Sequence, residues 1–422
     1  MRFYCKISAK LILGVFMEIF LCYALLLTLP KWVLSSLQLR FLKQESKKEP
    51  YILEQEKFLQ AAHYACLREK LNGLNALLDL LMVGFWLLYG FGALQSALEL
   101  SPLLESVVFV LVFLGVQSLV HLPLEAYRVL VVDKAFGFAK GGVKLFIVDT
   151  LKSFVLLLII GGILVFALSW IIVNVQYWEL YAFIFGAVLI VGLNLLYPTL
   201  IAPLFNKFSP LENKELKEAI NALLLRVGFK SEGVFVMDAS RRDGRLNAYF
   251  AGLGRTKRVI LFDTLLDKIS KDSLLAVLGH ELGHFKHYDI IKMMVLVLGF
   301  FGFLLFCVAN LPQSLFASVH LEVSPQALIV FLLILSAPLG FYFMLLVNLL
   351  SRNNELNADR FGAQLTSNEA LANALLVLVK ENNSFPLSHP LYMRFYYSHP
   401  PLMERLIALN CAHLGKNATQ QH

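Results

Sequence analysis

Residues 273–311 read SLLAVLGHELGHFKHYDIIKMMVLVLGFFGFLLFCVANL, and two patterns meet inside that stretch. Up to Tyr288, Leu274, Val277, Leu278 and Leu282 recur at helical spacing, with His280, Glu281 and His284 among them. From Ile290 the chain becomes an apolar run whose one charge is Lys292. About 20 such residues suffice to cross the hydrocarbon core of a bilayer. A helix carrying two imidazoles and a carboxylate therefore feeds straight into a membrane-crossing segment. The expected fold class is an all-α membrane protein with a small α+β soluble part.

Composition agrees. The 422 residues are 58% hydrophobic and 16% charged, with a mean hydropathy of +0.67. Soluble domains are about 45–50% apolar and about 25% charged. The five cysteines (Cys5, Cys22, Cys66, Cys307 and Cys411) are scattered and form no CxxC pair, which excludes a thiolate metal site or a disulfide framework.

Seven segments are long and apolar enough to span: 9–30, 74–98, 103–123, 153–174, 177–199, 290–311 and 326–350. The first could instead serve as a signal peptide, although its apolar run is long and no A-x-A site follows before Lys31. Lys and Arg number 8 in 31–70, 5 in 124–152, 14 in 200–289 and 6 in 351–422, and none in 99–102, 175–176 or 312–325. Seven spans put every basic region on one side, which the positive-inside rule assigns to the cytoplasm. The N-terminus then lies outside, against the pull of Arg2, Lys6 and Lys10. This asymmetry accounts for the net charge of +7 without a nucleic-acid partner.

The chain divides into helices 1–5 with their loops (1–199), a cytoplasmic region with the histidine helix (200–289), helices 6 and 7 (290–350) and a cytoplasmic tail (351–422). In 200–289, Leu216, Ile220, Leu223, Leu224 and Val227 form an amphipathic helix stopped by Gly228. Residues 233–238 and 257–262 read as short strands. The tail reads as mostly helical, broken at Phe385-Pro386 and His399-Pro400-Pro401.

His280 and His284 lie about 40° apart around a helix, so both imidazoles project from one face and can share a metal ion. Glu281 is turned about 100° away, where its carboxylate can take a proton from a water activated by zinc. That is the physical content of H-E-x-x-H. Such a site needs a third protein ligand and one open position. Ser351 to Asp359 supplies Glu355 and Asp359, one helical turn apart on one face. Glu355 can ligate while Asp359 holds a histidine or an arginine; the reverse assignment and a plain acidic face remain open.

These stretches, with Ile201 to Phe208, Asn247-Ala248-Tyr249-Phe250, Arg258 to Leu266, Ser351 to Phe361 and Tyr397 to Leu402, resemble the type I CAAX prenyl proteases. Those are seven-span zinc metalloproteases of the eukaryotic endoplasmic reticulum, with bacterial relatives. The resemblance implies seven transmembrane helices around a chamber, with a gluzincin-like zinc protease domain at the cytoplasmic face. It implies one zinc per chain on His280, His284 and Glu355, with Glu281 as base. It also implies an edge strand at Asn247-Ala248 that pairs with substrate, and His399 as donor to the developing oxyanion. Arg405 would pair with Asp359 or with substrate. The in-span polar groups Glu18, Asp79, Gln117, Asn194 and Asn348 suit a chamber wall or pairing within the bundle. His63, His121, His287 and His389 read as surface or packing residues.

Two departures point to a bacterial inner-membrane protein: the connection Asp263 to Ser273 is compact, and Lys416 to His422 shows no retrieval signal. Bacteria generally lack protein prenylation, so the expected partners are a peptide or membrane-protein substrate, with or without a lipid, and membrane lipids. The competing expectations are an HtpX-like quality-control protease and a non-catalytic metal-binding scaffold.

Overall fold

A computed structural model describes residues 9–50, 52–252 and 257–417. Arg2, Cys5, Lys6 and residues 418–422 lie outside the described residues. Among the described residues, six helices are long and apolar enough to cross a membrane: Met17–Glu45, Gln55–Ala97, Pro102–Asp133, Val143–Asn174, Asp289–Ala309 and Pro325–Leu365. The remaining expected stretch, 177–199, forms the shorter apolar helix Trp178–Leu196. Several helices run well past the predicted spans. The 41-residue helix Pro325–Leu365 is about 60 Å long, twice the hydrocarbon core. It starts where Ser324 accepts from the Ala327 N–H and Pro325 takes the first turn. No break separates the span from the segment bearing Glu355 and Asp359, so those carboxylates ride on a continuation of the span.

The bundle packs on an aromatic core in which Phe91, Phe109, Phe316 and Phe331 are almost wholly buried. The soluble part holds a four-stranded sheet of β1 (Phe208–Pro210), β2 (Gly233–Met237), β3 (Ala248–Ala251) and β4 (Arg258–Phe262). Its order is β1-β2-β4-β3. The two expected strands, β2 and β4, pair in parallel, while β1 and β3 flank them antiparallel. β3 is therefore an edge strand with one side free.

Helix Lys214–Arg226 packs against the sheet through Ile220, Leu223 and Leu224. Burial of each such side chain contributes roughly 1.5–3 kcal/mol. Asn213 caps its start and Gly228, at φ +65°, ends it. The motif helix Lys271–Lys286 lies against the same core through Leu274, Val277, Leu278 and Leu282. Tyr288, at φ +58°, then turns the chain into Asp289–Ala309. After the end of the long helix at Leu365, the described part of the tail holds four more helices, with breaks at 382–389 and 397–401 as expected.

Candidate metal centre

The motif helix and the long helix meet through glycine. A Cβ on Gly279 would stand 3.2 Å from the Gly362 Cα, one on Gly283 2.8 Å from the Ala358 Cα, and one on Gly362 2.6 Å from the His280 nitrogen. Any side chain there would wedge the helices apart. Their close approach brings His280, His284 and Glu355 together, with one donor atom from each within 4.8 Å of the others. Glu355 Oε lies 3.4 Å from the Nε2 of either histidine.

Both Nδ1 atoms are occupied. His280 Nδ1 bonds Asp359 Oδ1 at 2.8 Å, and His284 Nδ1 bonds Asp289 Oδ2 at 3.0 Å. A carboxylate on Nδ1 sets the tautomer that leaves the Nε2 lone pair for a metal. Asp359, wholly buried, also receives a two-pronged bond from Arg405, at 2.6 and 2.7 Å. Arg405 thus pairs with Asp359, one of the two partners expected for it. The buried Glu355 Oε2 has no hydrogen-bond partner. Two imidazole nitrogens and one carboxylate oxygen with a bond to spare suit zinc with a position left open.

Burial disfavours a charged His280, yet its contacts with Asp359 and Glu355 outweigh this and raise its pKa to about 9. His284 moves up from its ordinary value for a similar reason, Glu355 overcoming burial. Burial pushes the Glu281 carboxyl up, and the Glu355 carboxylate adds to this against the two histidines. His399, whose ring opens onto the cavity, is held below its ordinary value by partial desolvation. Its Nε2 lies 3.2 Å from Glu355 Oε1, facing the same point as the two motif histidines. The segment bearing it is pinned: Arg352 holds the Tyr397 carbonyl at 2.8 Å, Asn348 holds that of Phe395, and Tyr392 bonds Glu69.

Two cavities flank the centre and share Glu281. One, of about 930 Å³, is lined by His280, Asn247, Ala248, His399 and the N-terminal half of helix Gln55–Phe85. The other, of about 460 Å³, is walled by Ile190, Phe250, Met293, Met294 and Val297 beside His284. β3 borders both, with Asn247 and Ala248 at the first and Phe250 at the second.

A profile for peptidase family M48 matches residues 210–412, and one for the CAAX prenyl protease N-terminal region, five membrane helices, matches residues 38–207. CAAX prenyl protease 1 of Saccharomyces cerevisiae is 35% identical over 340 residues, covering 74% of this chain and 73% of that protein. The CAAX prenyl protease 1 homolog of Arabidopsis thaliana is 32% identical over 376 residues, covering 85% and 88%. The chain belongs to the CAAX prenyl protease 1 family of M48 peptidases. The crystal structure of S. mikatae Ste24p superposes with a TM-score of 0.85 at 28% identity, over 94% of this chain and 99% of that one. Family membership makes the protein an integral multi-pass membrane zinc metalloprotease. It decides against a non-catalytic scaffold and for the CAAX-protease reading over the HtpX-like one.

Asp289 and the glycines escaped the sequence reading. An acidic residue five positions after the second histidine was the available signal, because a metal-bound imidazole needs an acceptor on its other nitrogen. Among the in-span polar groups, Asp79 bonds His121 at 3.0 Å and lies 3.7 Å from Lys31, so His121 belongs to an ion cluster. His287 packs edge-on to Phe361 and His63 to Phe136, while His389 caps the Pro390–Tyr396 helix.

Proposed function

We propose that His280, His284 and Glu355 hold one zinc ion and that Glu281 is the general base of a peptide-bond hydrolysis. The observation that carries this reading is the convergence of three donor atoms within 4.8 Å, both histidines oriented by carboxylates. Zinc bound there would act as a Lewis acid, polarising a peptide carbonyl and bringing the pKa of a water down to about 7. Glu281, beside that position, would take a proton from the attacking water and deliver it to the departing amide nitrogen. His399 Nε2–H donates to the carbonyl oxygen as negative charge builds there, a contribution of about 3 kcal/mol for a single donor. The free edge of β3 at Asn247 and Ala248 pairs with the extended substrate. Asp359 and Asp289 orient the histidines, and Arg405 fixes Asp359.

The substrate we propose is a peptide or membrane protein; the relatives' name adds a prenylated C-terminus as one form of it. The apolar cavity beside His284 suits a large apolar or lipid-bearing residue. We count Trp178–Leu196 as a span too, making seven in all, because that count leaves the lysines and arginines on one side. The site then faces the cytoplasm, and the compact Asp263–Ser273 connection favours a bacterial cell membrane. The boundaries at residues 199, 289 and 350 stay our division by topology.

Zinc content and peptide hydrolysis of wild type, Glu281→Gln and Glu355→Ala in detergent test the assignment. Glu281→Gln should keep zinc and lose turnover, and Glu355→Ala should lose most of its zinc. Full activity in Glu281→Gln would refute the mechanism.

A further inference from the structure

Away from the metal centre, a groove of about 430 Å³ lies between helix Val143–Leu156 and the short helix Ala202–Phe205. Val148, Leu151, Val155, Leu156 and Leu204 wall it, and Lys152 is its one polar lining residue. It shares no residue with the two cavities that meet at Glu281. Val148, Leu151, Val155 and Leu204 are exposed on the protein surface. They belong to, or pack beside, the membrane-crossing helix Val143–Asn174, so what meets these walls is lipid. Lys152 immediately precedes the apolar run 153–174, which puts its charge at the membrane boundary.

That charge is held in place but not neutralised. The Lys152 ammonium donates to the Leu204 carbonyl at 2.8 Å and stands 5.8 Å from the centre of the Phe205 ring. An ammonium carries three donors, so two are left. Asp149, nearly one turn earlier, does not balance it, because Arg242 takes both carboxylate oxygens at 2.8 and 2.9 Å. Among the described residues the Lys152 ammonium has no ion pair. The same holds for exposed Lys144, about two turns earlier, and for exposed Lys207, three residues beyond Leu204. Lysine grips phosphate as a point charge, and basic pockets at the foot of membrane helices take anionic headgroups. We propose that the groove holds one acyl chain of an anionic phospholipid, with its phosphate on Lys152. A zwitterionic lipid could fill the walls equally well, but its amine would face three lysines and no free carboxylate.

The test is native mass spectrometry of the full-length protein in detergent, titrated with phosphatidylglycerol or phosphatidylcholine of the same acyl chains. The first phosphatidylglycerol should bind about tenfold more tightly than the first phosphatidylcholine, a difference of about 1.4 kcal/mol. Lys152→Gln should bring that ratio close to one, and Lys152→Arg should keep most of it. Lys144→Gln should lower it in part, and gives a second reading where loss of the Leu204 contact unsettles the fold. Val155→Trp, which fills the groove and leaves the charge, should weaken binding of both lipids. Lys217→Gln removes an exposed lysine from the soluble helix Lys214–Arg226 and should leave the ratio unchanged. Equal affinity for the two lipids, or a ratio that survives both Lys152→Gln and Lys144→Gln, would overturn the proposal. So would a ratio that Lys217→Gln lowers as far as Lys152→Gln does, since net charge alone would then explain it. Undiminished binding to Val155→Trp would remove the acyl chain from the groove. Displacement of phosphatidylglycerol by an equal amount of farnesylcysteine would overturn the proposal by giving the groove to an isoprenoid.

Discussion

Gly362 and His280 meet backbone to backbone, with no room between them for a methyl group. That contact sets the separation of the two helices that carry the proposed metal ligands. Gly362→Ala should therefore force the helices apart, lowering stability by about 1–3 kcal/mol. Zinc affinity should fall roughly tenfold or more as the donor set opens. Gly299→Ala is the control, since a Cβ there meets nothing within 4 Å. Chelator competition and thermal melting of the two variants read both effects; equal zinc affinities would break the link between this contact and the site.

Asp289 starts the membrane helix Asp289–Ala309 and reaches back to His284 Nδ1, while Lys292 bonds its other oxygen at 2.9 Å. The left-handed Tyr288 makes that return possible by turning the chain sharply between the two helices. Asp289→Ala should weaken zinc binding about 10–100-fold. Asp289→Asn keeps an acceptor oxygen and should weaken it less. A purely structural role would lower the melting temperature of both variants without changing the chelator concentration needed to strip the metal.

The parts of this site legible in the sequence were those encoded by residue type and local spacing. H-E-x-x-H places two imidazoles on one face whatever the surroundings, and the apolar runs place it beside the membrane. Glu355 and Asp359 could not be separated that way, since residues four apart share a face. What separates them is Arg405, 46 positions further on, which grips both oxygens of Asp359 at 2.6 and 2.7 Å and stands 3.6 Å from Glu355 Oε2, leaving that oxygen with ion-pair contacts but no hydrogen bond. The unbroken helix from Pro325 to Leu365 was hidden for another reason: hydropathy drops at the membrane boundary, but helix-forming residues such as Leu356 and Ala358 continue across it. Gly283 and Gly362 reveal their purpose only once each other's helix is in place.

His399 projects from a non-helical turn whose preceding carbonyl is held by Arg352. If it donates to the oxyanion, His399→Ala should lower kcat by about 10²–10³-fold with zinc content unchanged. Arg352→Met should lower kcat less, through looser placement of the same imidazole. Loss of zinc in His399→Ala would make this residue a fourth ligand and close the position that substrate needs.

The pH dependence of metal uptake follows from His280. In the metal-free protein its pKa is raised from 6.5 to about 9, the Asp359 and Glu355 carboxylates outweighing burial. The imidazolium therefore stabilises the metal-free fold fully below pH 6.5, and that contribution is lost as pH rises through 9. Zinc requires the neutral ring, so uptake below pH 9 must displace this proton. Apparent zinc affinity should rise at least tenfold per pH unit from pH 7 toward 9, His284 adding to the slope because its pKa is raised too, and then level off. Asp359→Asn removes the first-named carboxylate and should move the levelling point to lower pH. Zinc titrations at fixed pH, in two buffers of different ionisation enthalpy, count the released proton directly. An affinity that is flat between pH 7 and 9 would mean that His280 is already neutral before the metal arrives.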